Sequence, residues 1–130
     1  MNLLEVAGAL RREDRKAYRH HAFTVPPGAR ALRIEFSYDP GGDDPHGLLT
    51  LQLFSPRGFR GAGHRYATHQ IVELGSDRAT PGFVIGEIEA GEWTLEIDVH
   101  CVIARPDGAP NEYRVRVDVT RAVSAEATVP

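Results

Sequence analysis

The chain reads as an all-β protein: a two-sheet antiparallel sandwich of about eight strands in a jelly-roll-like order. Three observations give this class. Apolar residues recur with period two along most of the sequence, the signature of half-buried strands. Clusters of proline, glycine and aspartate separate these runs. Only Arg11–Tyr18 has room for a short helix, and its apolar positions are too sparse to anchor one.

The elements follow in order. Strands are expected at about Leu3–Leu10 and Arg19–Val25, and "PPGA" at Pro26–Ala29 turns the chain. Leu32, Ile34 and Phe36 then alternate with Arg33, Glu35 and Ser37, a dry face against a charged one. The run "DPGGDDPHG" (Asp39–Gly47) breaks this strand. Leu49, Leu51 and Leu53 alternate with Thr50 and Gln52, while Leu48 and Phe54 make the opposite face partly apolar. After "SPRG" (Ser55–Gly58) come expected strands at Thr68–Leu74 and Gly82–Ile88. "EAGE" (Glu89–Glu92) precedes the alternation Trp93, Leu95, Ile97, Val99. "RPDGAPN" (Arg105–Asn111) precedes the last one, Tyr113, Val115, Val117, Val119. One dry face per strand fits two sheets sharing a core. An immunoglobulin-like sandwich is the alternative topology.

At 130 residues the chain fits one domain, spanning 1–130, large enough to fold without a disulfide or metal. Its 42% apolar and 25% charged content argues against disorder. The single cysteine, Cys101, has no internal partner. A net charge of −3 gives no support for general nucleic-acid binding. The basic cluster Arg11, Arg12, Arg15, Lys16, Arg19 is interrupted by Glu13 and Asp14 and reads as a solvated edge or turn. No apolar run approaches the roughly 18 residues that span a bilayer. Met1–Leu10 lacks the positive start and apolar core of a secretion signal, so the chain reads as cytoplasmic.

Chemistry-bearing patterns are sparse. There is no Gly-x-Ser-x-Gly, phosphate loop or dinucleotide fingerprint. His20 and His21 are adjacent, so on a strand they face opposite ways. His64 lies in the glycine-rich "GAGHR" loop, and His69 and Glu73 share a strand face. A His64/His69/Glu73 metal site, with His100 the candidate for a further ligand, is similar in outline to that of the cupins. The cupin His-x-His pair is absent, and solvated histidines are the simpler reading. Asp39, Asp43 and Asp44 sit in a loop of the kind that can offer oxygen ligands, but without the spacing of a calcium loop. Trp93, Phe59, Phe83 and Tyr66 are candidates for an aromatic platform for a sugar, although Trp93 opens a dry strand face and so reads as core.

The most specific stretch is Gly58 to Trp93. It carries "GFRG" (Gly58–Gly61), "ATPGF" (Ala79–Phe83) and "GEW" (Gly91–Trp93), after an upstream "AFTVPPGARALRIEFSYD". In order and spacing these resemble the N-terminal β-sandwich domain of CehA/McbA-type metallohydrolases of the PHP (polymerase and histidinol phosphatase) superfamily, over roughly Val6 to Thr120. In that family the chemistry belongs to a separate barrel that opens with a His-x-His motif, and no such motif occurs in this chain. The resemblance therefore implies a non-catalytic accessory domain with no cofactor of its own, partnered by a PHP-type hydrolase domain or by another copy of itself. Gly82 and Gly91 are expected to allow turns, Pro81 to fix the entry to a strand, and Trp93 to anchor the core. Arg60 is expected to hold a loop or meet an acidic partner; as binding candidates it stands with Asp43 and Asp44. A carbohydrate- or small-ligand-binding jelly roll, and a cupin-type metal enzyme, are the alternatives.

Overall fold

A computed structural model describes residues 1–39, 48–63, 67–102 and 107–121. Eight strands run β1 (Asn2–Leu10), β2 (Tyr18–Val25), β3 (Ala29–Tyr38), β4 (Leu48–Ser55), β5 (Gly58–Gly63), β6 (His69–Gly75), β7 (Gly91–Cys101) and β8 (Asn111–Arg121). They form two four-stranded sheets ordered β1-β8-β3-β6 and β2-β7-β4-β5. Every pairing is antiparallel.

The order is that of a jelly roll. Strands pair as nested brackets, β4 with β5, β3 with β6, β2 with β7 and β1 with β8, alternating between the sheets. The β3–β8 and β4–β7 pairings then close each sheet.

The inward residues are those the period-two pattern singles out. Leu32, Ile34 and Phe36 of β3 and Val115, Val117 and Val119 of β8 face Leu51, Leu53, Trp93, Leu95 and Ile97, all buried. Each buried side chain of this size contributes about 1.5–3 kcal/mol relative to exposure, so alternation excludes odd slips of register. A one-residue slip would turn every dry face to water.

Two expectations are corrected. Gly82–Ile88 is not a strand: Phe83 makes an isolated bridge to Gly61, and the rest is irregular. Pro81 therefore leads into a bridge rather than a strand. Conversely, Gly58–Gly63 is a strand, hidden in the sequence because three of its six residues are glycine. It holds because its backbone bonds on both sides, to β4 and to residues 82–84. Within Arg11–Tyr18 there is only a single 3-10 turn, Arg12–Asp14, closed by Asp14 accepting from the Arg11 N–H at 2.7 Å and from Arg19 at 3.0 Å.

The segment after β6 seals two sheet edges in succession. First Thr80 N–H donates to Glu73 O and Gly75 N–H to Arg78 O, covering part of the free side of β6. Then Ala62 N–H donates to Gly82 O and Val84 N–H to Arg60 O, covering β5. Among the described residues no helix is long and apolar enough to cross a membrane.

Candidate functional site

The three sequence motifs meet at one buried junction. Arg60, in the middle of β5, is only 7% exposed although it is an arginine. Its Nη1 donates to Glu87 O and to the Glu89 carboxylate, both at 2.8 Å. Its Nη2 donates to Val84 O and Gly86 O, both at 3.2 Å. The planar guanidinium thus gathers three carbonyls of one irregular segment, which a lysine ammonium has no fork to match. Trp93 donates its indole N–H to Glu89 O at 2.8 Å, and Arg57 reaches the other Glu89 carboxylate oxygen at 3.3 Å.

Gly61 explains why the strand before this junction is rich in glycine. Its φ is +137°, and a Cβ there would lie 2.5 Å from Phe83 Cα and 2.7 Å from Gly82 O. Only glycine lets the two backbones approach so closely. "GFRG" supplies Arg60 and Gly61, "ATPGF" the segment they hold, and "GEW" the aromatic ring beside them. Arg60 is therefore engaged by its own chain, and its acidic partner is Glu89.

Among the described residues the metal candidates His69, Glu73 and His100 do not come together. His64 lies outside the described residues. His69 sits on the outer face of β6 with its Nε2 2.7 Å from Glu35, and Glu73 lies 3.9 Å from Arg33. His100 stands on the outer face of the other sheet, 2.8 Å from the Thr50 hydroxyl. A sandwich core separates it from His69, so the two cannot share an ion. No cluster of three or more histidine, cysteine or acidic side chains able to hold a metal occurs among the described residues. Asp43 and Asp44 also lie outside them. His20 and His21 face opposite ways as expected: His20 meets Glu96 at 2.7 Å outside, and His21 meets the Tyr113 hydroxyl at 2.8 Å inside.

Trp93 is core, as its place on a dry strand face predicts, and the alternative of an aromatic platform loses its main ring. Trp93 is fully buried and Phe83 is 9% exposed, so neither offers a ring face to a sugar. Phe59 is exposed and packs edge-on to Phe54, and Tyr66 lies outside the described residues. An open groove of about 430 Å³ at one end of β3, β6 and β8 is lined by Arg30, Arg33, Arg78 and Arg121 with Glu73 and Asp77. Arg33 already leans on Glu35 and Glu73, so this groove is a charge-laced rim.

A pair that the sequence pattern did not single out is Glu96 and Asp98. Two residues apart on β7, they share the outer face of their sheet, yet Asp98 is only 6% exposed. Gln52 donates to Asp98 Oδ2 at 2.6 Å, while Oδ1 lacks a donor among the described residues. Burial, then the neighbouring Asp98 carboxyl, pushes Glu96 above the usual carboxylate range, and His20 opposes the shift. In sequence the pair looks like the solvated face of any strand; only the i, i+2 spacing hinted that they meet.

Fold and junction together define a jelly-roll sandwich whose most specific motifs lock a segment against a sheet edge. No protein-family model matches the chain, and a search of the curated proteins gives no match.

Proposed function

We propose that this chain is a non-catalytic accessory or interaction sandwich, of the kind that adjoins the catalytic barrel in CehA/McbA-type hydrolases of the PHP superfamily. One observation carries the reading. The motifs on which the resemblance rests converge on the Arg60–Glu89–Trp93 junction, where both terminal nitrogens of the Arg60 guanidinium and the Trp93 indole N–H are spent on the chain's own backbone and on Glu89. Residues committed in this way shape a surface and do no chemistry. The same reading places the protein in the cytoplasm beside such an enzyme.

The test has two arms. Purified chain mixed with a PHP-type barrel is examined by calorimetry, where a saturable complex is expected. In parallel the chain alone is assayed on ester and phosphoester substrates with added manganese or zinc, where no turnover is expected. Metal-dependent turnover that disappears in His69→Ala would overturn the proposal in favour of a cupin-type enzyme. Absence of any complex with a barrel would remove the accessory role.

A further inference from the structure

The two sheets have four edges, and the chain treats them unequally. On one side of the sandwich β6 and β5 are covered by the segment that follows β6. On the other side β2 carries Arg19, His20 and His21 along its edge, the charged side chains that discourage edge pairing. The remaining edge is β1, Asn-Leu-Leu-Glu-Val-Ala-Gly-Ala-Leu, with Glu5 its one charge and neither proline nor lysine. Leu3, Leu4 and Val6 are half-buried there, packed against the core but not closed off by it.

We propose that β1 is a self-association surface: two copies pair their β1 strands antiparallel about a two-fold axis, joining two four-stranded sheets into one of eight. A second copy fits this edge in detail. The pairing of β1 with β8 is regular from Leu4 to Leu10, with a register shift between Asn2 and Leu4. The midpoint of the regular stretch is Ala7. A two-fold there sets Ala7 opposite itself, Glu5 opposite Ala9, Val6 opposite Gly8 and Leu4 opposite Leu10. No like charges face each other, because each Glu5 meets a small residue and keeps Arg116 of its own copy at 3.9 Å. Self-pairing of β2 would instead crowd arginine and histidines together.

The backbone parity also fits. Met1 and Val119 exchange hydrogen bonds in both directions, and β8 presents Val117, Val115 and Tyr113 to β1 in the same phase. Leu4, Val6 and Gly8 therefore point their N–H groups at β8. Glu5, Ala7 and Ala9 point theirs at the edge that the described residues leave uncovered, where the second copy supplies carbonyls. The partner strand also covers the half-exposed Leu4 and Val6 side chains.

The experiment is sedimentation of the purified chain over a concentration series, together with three Ala7 variants. The wild type is expected to move from 14.3 kDa toward twice that mass as concentration rises. Ala7→Pro removes an outward N–H, a change edge strands tolerate, and is expected to stay monomeric. Ala7→Val keeps the N–H and is expected to associate like the wild type. Ala7→Cys is expected to form a covalent dimer on mild oxidation, since paired residues about 5.5 Å apart lie in disulfide range. The unchanged chain, with Cys101, sets the background for that reaction. A wild type that stays monomeric throughout overturns the proposal. So does cross-linking of Ala7→Cys no greater than background, or a dimer undiminished in Ala7→Pro with an intact β-sheet spectrum. If Ala7→Pro fails to fold, the cross-linking result decides.

Discussion

The Arg60 guanidinium carbon lies 5.0 Å from the centroid of the Trp93 ring. A cation held over an indole face while its N–H groups bond three carbonyls and a carboxylate is a buried charge that ties one irregular segment to the sheet edge. Arg60→Ala leaves Glu89 half-buried and without that cation, so a loss of about 3–5 kcal/mol is expected. Arg60→Lys keeps the charge but not the fork and should recover only part of it. Urea denaturation of the two variants checks both; equal loss in each would mean that charge placement is irrelevant.

Gly61 and Gly58 make a matched pair. Both have φ near the left-handed range, at +137° and +125°, so alanine at either carries about 1–3 kcal/mol of strain. At Gly58 nothing lies within 4 Å of the added methyl, whereas at Gly61 it meets Phe83 and Gly82 backbone. Gly61→Ala is therefore expected to be markedly worse than Gly58→Ala, and to free residues 82–85 from β5. Limited proteolysis reads the second effect. Equal cleavage of the two variants would show that the close approach is not what holds the segment.

These two residues also show how much was legible beforehand. The dry faces of β3, β4, β7 and β8 follow from alternation because a strand's burial is decided residue by residue. The Gly58–Gly63 strand escaped that logic, since glycines carry no side chain to alternate and the pairing on its far side comes from residues 82–84, about 20 residues later. The same holds for Arg60. Its type says solvent, and only the carbonyls of Val84, Gly86 and Glu87 folding around it make burial tolerable. Glu96 and Asp98 escaped for the opposite reason, being ordinary polar-face residues until their burial is seen.

His21 should make the fold acid-sensitive. Burial, with the nearby Arg19 and His20 charges, holds its imidazole below the ordinary value of about 6.5. The unfolded chain then binds the proton more readily than the folded one. Stability is full above the ordinary value and falls as pH drops through it toward the folded value. His21→Gln, which can still meet Tyr113, is expected to flatten this part of the curve. Thermal denaturation from neutral pH to about 5 measures it; a curve no flatter than the wild type's would remove His21 as the source.

Glu96 should act in the other direction. Its folded pKa is raised, so the ionised form is disfavoured at neutral pH and stability is regained as pH falls through the raised value toward the ordinary one. A protonated Glu96 is also a donor beside Asp98, whose Oδ1 has none among the described residues. Glu96→Gln supplies a permanent donor and is expected to stabilise the neutral-pH protein by about 0.5–1.5 kcal/mol. It should also abolish the gain on mild acidification. A destabilised variant would indicate that the His20 contact outweighs the Asp98 repulsion.

The nested pairing of strands has a consequence for how the chain comes into being. The innermost bracket, β4 and β5, closes over two residues, Pro56 and Arg57, and can form as soon as it is made. Each outer bracket spans more chain, and such non-local pairings form slowly. The outermost joins β1 to β8, whose facing ends Leu10 and Asn111 are roughly 100 residues apart. During synthesis, at the usual pace, β1 waits roughly 5 to 20 s for its partner to be made. The edge strand that carries Glu5 as its one charge, and that the described residues leave uncovered, is also the one that spends longest alone.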